Sequence, residues 1–271
     1  MMTNNHKPQI LLTNDDSISS PGLWAAAEAL APLGFVHVAA PRVQQTSMGR
    51  AMPRESDGKI EAQTMTVHGK EWQVYSVGGS PAQAFLHGLY EVMGHEPDLV
   101  VSGINYGENV GTGVTISGTI GAALEAATLG IPALAVSLET PMSHHYSLSS
   151  EVDFSTAAYF TGLFAERLLR ISLPFDVNVL KVDVPNTASS ETPWRITRQS
   201  RERYFYPIPP KPEITEGSRN IGYEVRLPKD VIEPDSDIYA VLIDRIVSVT
   251  PLSVDLTSRV DFQSLESLIR E

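Results

Sequence analysis

Short apolar runs separated by polar, Gly- and Pro-rich breaks set the rhythm of this chain. The first run, QILLT at residues 9–13, has the length of a buried strand and stops at Asn14-Asp15-Asp16-Ser17. An Ala- and Leu-rich stretch at 23–33 predicts a helix, with Pro21 and Gly22 at its start and Gly34 after its end. FVHVAA at 35–40 predicts a second strand, closed by Pro41. Strand, helix and strand in that order make a βαβ unit. The pattern continues with a strand at 72–77, then Gly78-Gly79-Ser80-Pro81, where Ser80 is placed as helix N-cap and Pro81 as first helical residue. A helix to about residue 93 follows, then LVVS at 99–102, apolar almost throughout as a strand covered on both faces must be. A Gly-rich loop spans 103–118, a helix 119–129 and another buried strand 131–138. Strands alternating with helices predict an α/β fold: a doubly wound, Rossmann-like, mostly parallel sheet.

The second half changes character. Residues 154–169 predict a long amphipathic helix, and DVNVLKVDV at 176–184 an alternating strand that ends at Pro185. From 187 to 234 the composition turns to Arg, Tyr and Pro, which predicts an excursion from the sheet in the form of a hairpin arm. Residues 239–250 return to apolar character, and 262–270 predict a short terminal helix. The expected organisation is a Rossmann-like α/β core over 1–190 and a C-terminal extension over 191–271 with the hairpin arm, a returning strand and a tail.

Composition narrows the function classes. With 42% hydrophobic and 19% charged residues, the 271-residue chain suits a globular protein with a sizeable core. No apolar run approaches membrane-spanning length, and residues 1–8 lack the apolar stretch of a secretory signal, so a cytoplasmic protein is expected. Cysteine is absent, which removes disulfides, thiolate metal sites and a cysteine nucleophile. A net charge of -12 argues against a general nucleic-acid binder. Residues 195–229 run against that balance, with eight basic side chains to four acidic. This is either a local attraction for an anionic substrate or a solvated hairpin face.

In open parallel sheets, ligands bind beyond the carboxyl ends of the strands. The polar residues expected there are Asn14, Asp15, Asp16 and Ser17, then Gln44, Gln45, Thr46 and Ser47, then Ser80, then Ser102, Asn105, Asn109, Ser117 and Thr119. Nearly all are oxygen donors. Two adjacent carboxylates repel, and a divalent ion removes that cost. Carboxylate, amide and hydroxyl oxygens together favour Mg²⁺, Mn²⁺ or Ca²⁺ over zinc. A helix-capping role for Asp15 or Asp16 is the alternative. The glycines of GINYGENVG (103–111) and SGTIG (117–121) allow close backbone approach to a ligand, and a helix opening near Ser117 would aim free N–H groups at a phosphate. Neither GxGxxG nor GxxxxGK[ST] fits this stretch, and there is no GxSxG elbow, which disfavours a nicotinamide dehydrogenase, a P-loop ATPase and a serine hydrolase. His87, His95, His144 and His145 have no zinc-site spacing and read as core or surface residues.

The segments LLTNDDSISSPG (11–22), APRVQQTSMGR (40–50), GGSPAQA (78–84), DLVVSGINYGENVG (98–111), ISGTIGAALEAATLGIPALAVSL (116–138) and SDIYAVLIDRIVSVTPL (236–252) resemble, in order, the SurE family. The resemblance implies a metal-dependent 5'-nucleotidase that removes phosphate from nucleoside monophosphates, with 3'-nucleotides and short polyphosphate as further substrates. It implies one divalent ion per subunit (Mg²⁺ or Mn²⁺, with Ca²⁺ able to substitute) on Asp15, Asp16, Asn105 and a hydroxyl of the loop after the second strand. Aligned without a gap from Pro41 to Gly49, that hydroxyl belongs to Thr46, with Ser47 beside it. Asp15 and Asp16 are the catalytic candidates by the same resemblance. Asn14, Gly103, Asn109, Ser117, Gly118 and Thr119 match positions that cradle the phosphate. A homodimer or homotetramer through a swapped C-terminal arm is implied too, without a membrane or a stable nucleic-acid partner. A non-catalytic metal- or nucleotide-binding regulator is the rival reading. An aspartyl-phosphate phosphatase of the haloacid-dehalogenase type is disfavoured, because Asp-x-Asp is required and position 17 is Ser.

Overall fold

The computed structural model describes residues 7–209, 221–227 and 230–270. β1 (Gln9–Thr13), α1 (Pro21–Leu30) and β2 (Phe35–Pro41) form the first unit, followed by β3 (Ile60–Val67), β4 (Lys70–Val77) and α2 (Pro81–His87), which runs into a π-helical turn over Gly88–Met93. β5 (Leu99–Tyr106), α3 (Gly118–Thr128), β6 (Ala133–Leu138), α4 (Ser155–Leu168) and β7 (Val179–Val184) complete the alternation. Beyond them lie β8 (Trp194–Ile196), β9 (Phe205–Pro207), β10 (Tyr223–Val225), α5 (Asp237–Leu242), β11 (Val247–Leu252) and α6 (Phe262–Arg270).

Among the described residues, nine strands form one sheet in the order β3-β4-β2-β1-β5-β6-β7-β11-β8. From β4 to β7 neighbours pair in parallel, whereas β3 and β11 run antiparallel to β4 and β7. The chain winds outward from β1 through β2 to β4, then crosses back to β5 and winds outward the other way. The winding therefore reverses between β1 and β5, and the loops leaving these two strands diverge to open a crevice at their carboxyl ends. Both faces are covered, which is why the central strands are apolar without alternation. Leu23, Trp24 and Leu30 of α1 and Phe160 and Phe164 of α4 pack over Ile10, Leu12, Val101 and Leu134. Phe85 of α2 and Ile120, Ala123 and Ala126 of α3 pack over Leu11, Val100, Ala133 and Ala135 on the opposite face.

Local signals hold where capping chemistry fixes them. Gln83 N–H donates to Ser80 Oγ (3.1 Å) and Ser80 N–H to Gln83 Oε1 (2.9 Å), a capping box ahead of Pro81. Ser117 caps α3 through Ile120 N–H (3.2 Å).

Four elements differ from the sequence reading. β3 was not expected. It joins β4 through His68 and Gly69, both with positive φ (48° and 77°), as a two-residue hairpin turn requires. The strand expected at 176–184 begins only at Val179, after a turn. Residues 239–250 are not one apolar element: helix α5 stops at Leu242 and β11 starts at Val247. The Arg/Tyr/Pro region is only partly an excursion, because β8 lies in the main sheet beside β11. The arm itself is seen as the β9–β10 antiparallel pair, and part of the expected arm (210–220 and 228–229) lies outside the described residues. α6 buries none of its residues and exposes Phe262, Leu265, Leu268 and Ile269. Among the described residues, no helix is long and apolar enough to cross a membrane.

Candidate active site

The reversal point between β1 and β5 gathers the acidic pair and its companions. Asp15 and Asp16 follow β1 directly and are almost entirely buried. Thr119, in the first turn of α3, donates its hydroxyl to Asp15 Oδ1 and also lies 3.2 Å from Asn105 Oδ1. Asn105 sits near the end of β5, where the pairing with β6 shifts register after Ser102. That shift needs Gly103: its φ is +133°, and a Cβ there would lie 2.3 Å from the Val136 carbonyl oxygen. Both hydrogens of the Asn105 amide nitrogen are taken, by the carbonyls of Tyr106 (3.1 Å) and Gly107 (2.7 Å). This fixes Oδ1 toward Asp15.

Asp16 points the other way around the crevice. Its Oδ2 accepts from Tyr106 N–H (3.0 Å) and its Oδ1 from the Gln44 amide (2.9 Å). Gln44 gives its second hydrogen to the His145 carbonyl (2.7 Å), tying the β2 loop to the segment after β6. The same loop is clamped to the approach to α3 by Gly49 N–H and the Ile116 carbonyl (2.9 Å). Arg42, at the start of this loop, pairs with Asp57 (3.2 Å).

The electrostatics are those of a buried anionic site. Burial pushes the Asp15 carboxyl up to about 6, against the stabilising hydrogen bonds of Thr119 and of the Gly118 and Thr119 amides. Asp16 is raised well above the usual carboxylate range by burial first and by the charge of Asp15 second. One Thr119 hydrogen faces two acceptor oxygens, and among the described residues Asn14 Oδ1 is buried without a partner although its amide binds the Ser17 carbonyl (2.9 Å). The site thus holds more lone pairs than hydrogens, and its donors are hard oxygens. That is what a divalent cation of the Mg²⁺, Mn²⁺ or Ca²⁺ type fits. Among the described residues no three His, Asp or Glu side chains converge as a metal cluster, so such a cation would rest on two carboxylates plus neutral amide and hydroxyl oxygens.

A cavity of about 280 Å³ opens beside Asp15. Of the residues singled out by sequence, Asp15, Thr46, Ser47, Asn105, Asn109 and Ser117 line it. Thr46 is half-buried and Ser47 is exposed with φ 64°. Asn109 is held by Ser137 (2.8 Å) and by its own N–H to Asp183 (2.8 Å). Gly103, Asn14, Asp16, Gly118 and Thr119 stand behind the lining. At the start of α3 the Gly118 and Thr119 amides favour the charged form of Asp15, and the Ile120 amide donates to Ser117 Oγ (3.2 Å). Gly118 is there because a Cβ would lie 2.8 Å from Asp15 Cβ and 3.0 Å from Pro81 Cγ. Gly118→Ala is expected to lower stability by about 1–3 kcal/mol through overpacking, read as a drop in the urea midpoint.

Other lining residues were not legible. His145 is buried, its Nε2 3.2 Å from the Thr140 carbonyl and its Nδ1 2.8 Å from the Tyr223 hydroxyl, and burial lowers its pKa. A carbonyl only accepts, so the neutral ring carries its hydrogen on Nε2. Tyr146, Phe205 and Tyr223 complete an aromatic wall, with Glu108 and Arg203 beside it. Glu108 lay in plain view in GINYGENVG, and an acidic residue amid those glycines was the available signal. Of the basic residues in the arm, Arg195, Arg198 and Arg226 pair with Asp244, Asp235 and Glu224, whereas Arg203 faces the cavity. Lys211, Arg219 and Lys229 lie outside the described residues.

The family model described as Survival protein SurE matches residues 10–206. A protein of Thermococcus gammatolerans named 5'-nucleotidase SurE is 41% identical, the match covering 96% of each chain. One of Archaeoglobus fulgidus with the same name is 39% identical over 95% of this chain and 96% of its own. The crystal structure of the SurE protein from Aquifex aeolicus superposes with a TM-score of 0.73 at 29% identity, covering 97% of this chain and all of the other. With a family match over most of its length and relatives this similar from end to end, the chain belongs to the SurE family.

Proposed function

We propose that this protein is a divalent-metal-dependent 5'-nucleotidase that hydrolyses nucleoside 5'-monophosphates to nucleoside and phosphate, with 3'-nucleotides and short polyphosphate as secondary substrates. The observation that carries it is the buried Asp15–Asp16 pair beside Asn105 Oδ1, opening on a cavity of small-molecule size in a SurE-family chain. Asp15, Asp16, Asn105 and the Thr46 hydroxyl would hold the ion. Thr46 is preferred over Ser47 because it is the less exposed of the two. Mg²⁺ and Mn²⁺ are the matching ions, with Ca²⁺ able to bind. When bound, the ion supplies Lewis-acid polarisation of a phosphoryl oxygen and offsets developing charge.

The residues of the chain do the rest. Ser117 Oγ accepts from Ile120 and keeps its own hydrogen for a phosphate oxygen. Asn109 has one amide hydrogen beyond the one given to Ser137. Asp15 lines the cavity and would serve there as base toward an attacking water, or as nucleophile, or as ion ligand alone. Thr119 orients Asp15, and Gln44 orients Asp16. Residues 191–271, with the exposed apolar stripe of α6, are the extension through which a homodimer or homotetramer would form by exchange of the arm. A cytoplasmic enzyme is the setting these features suit.

The test is phosphate release from a panel of nucleoside monophosphates with Mn²⁺ or Mg²⁺ and with EDTA. Release that EDTA abolishes and metal restores is expected. No release from any nucleotide at saturating Mn²⁺ would leave a binding role and overturn the proposal.

A further inference from the structure

Past His145 the cavity reaches a second buried carboxyl, Glu108, for which the chemistry above has no use. Glu108 is 3% exposed. The Tyr204 hydroxyl is its hydrogen-bonding neighbour, and among the described residues Oε2 is buried without a close hydrogen-bond partner. An unmet buried polar atom is costly, and Glu108 is part of the cavity lining, so a ligand group reaching it there could supply the missing partner. The neighbouring wall is flat and aromatic. The rings of Phe205 and Tyr223 meet edge to face at 5.3 Å, and Tyr223 lies nearly parallel to the His145 ring at 6.2 Å. Such a wall suits a planar heterocycle, because every base offers a face that stacks on an aromatic ring.

We propose that Glu108 is a specificity-determining residue whose free Oε2 hydrogen-bonds the nucleobase of a nucleoside monophosphate stacked on the Phe205–Tyr223 wall, with the phosphate at Asp15 and Asn105. The inference rests on the nucleotidase reading and adds to it the group that recognises the base. Burial, with smaller contributions from the charges of Glu139 and Asp183, pushes the Glu108 carboxyl up to about 7 against the hydrogen bond from Tyr204. Arg203 is the cation lining the same cavity, and His145 is neutral there. Near neutral pH Oε2 is therefore able to accept from a base amino group or, protonated, to donate to a ring nitrogen or carbonyl, so the contact suits a base edge that offers both.

The test compares kcat/KM for AMP, GMP, CMP and UMP with kcat/KM for ribose 5-phosphate, which has the sugar and the phosphate without the base. Glu108→Ala is expected to lower the ratio of the preferred nucleotide to ribose 5-phosphate about tenfold. Glu108→Gln keeps the shape and the Tyr204 contact but fixes a donor at the free position. It is expected to fold with an unchanged thermal midpoint or a higher one, and to alter the order of preference among the four nucleotides. Equal loss on all five substrates, or an unchanged ratio in both variants, would overturn the inference while leaving the nucleotidase reading intact. A wild-type protein that releases phosphate from ribose 5-phosphate but from no nucleotide would overturn both.

Discussion

Replacing Asp15 with Asn is expected to lower nucleotide hydrolysis by more than about a hundredfold and, in the same molecule, to stabilise the metal-free fold. The first effect follows because Asp15 is a proposed ion ligand and a candidate base or nucleophile, and even the outer partners of a metal ligand are worth 10- to 100-fold. The second effect comes from linkage. Burial raises the folded-state pKa of Asp15 from the ordinary 3.8 to about 6. Between those values the folded protein keeps a proton that the unfolded chain has released. Stability without metal therefore falls as pH rises from about 4 through 6, and the whole penalty, about 3 kcal/mol for a shift of about two pKa units, is present above that window. Asn carries no charge and removes that contribution. Urea unfolding in EDTA at pH 4.5 and pH 7.5 reads it directly. The wild type is expected to be the less stable of the two proteins at pH 7.5, with the gap closing toward pH 4.5. A variant weaker than wild type at pH 7.5 in EDTA would show that burial does not strain the carboxylate. Added Mn²⁺ is expected to reverse the order, because only the wild type presents both carboxylates to the ion.

Lys181→Met is expected to destabilise the protein by about 3–5 kcal/mol, the usual consequence of leaving buried charge unpaired. Lys181 is fully buried on β7 and donates to Asp183, to Asp237 Oδ2 (3.0 Å) and to the Asn109 carbonyl (2.9 Å). Burial works against its charge, but the two carboxylates overcome this and raise its pKa. One cation does not balance two buried carboxylates, and Asp183 is itself raised, by burial first. Removing the ammonium leaves both acids without a cation. The double variant Lys181→Met with Asp183→Asn is expected to recover part of the loss, since Asn still offers an oxygen to Asn109 N–H. A single variant within about 1 kcal/mol of wild type in urea unfolding would contradict this account. The effect reaches the cavity as well. Asp183 and Lys181 grip the two sides of the Asn109 backbone, and Asp237 accepts from Gly111 N–H (3.1 Å), so the triad sets the course of the loop that carries Glu108 and Asn109.

These two sites differ in how much of them sequence reading can reach. Asp15 and Asp16 are adjacent, they end an apolar strand, and strand ends in a doubly wound sheet are where ligands bind. Asn105 and Thr119 follow by the same rule, and the hydrogen bonds among Asp15, Asn105 and Thr119 join what the rule only placed on one edge. Lys181 and Asp183 show where the rule stops. In VLKVDV they read as the polar half of an alternating strand, the half that normally faces water. They are buried because β11 pairs alongside β7 and the 109–111 loop and Asp237 at the start of α5 close over them. β3 escaped for the opposite reason: its side chains stay largely exposed, so no apolar pattern marks it, and only the His68-Gly69 turn does.

Sequence alone therefore determined the α/β class, the helix α2 with its Ser80 cap, the helix α3, and the oxygen-rich edge with Asp15 and Asp16 at its centre. Each of these is written locally, in apolar run length, in side-chain caps, and in residues that follow a strand directly. Tertiary structure alone decided which polar residues are buried, how the aromatic wall of His145, Phe205 and Tyr223 forms, and that Glu108 faces a cavity. Those properties depend on contacts between segments far apart in the chain, such as Tyr223 on His145 and Tyr204 on Glu108, and a local pattern carries no record of its distant neighbours.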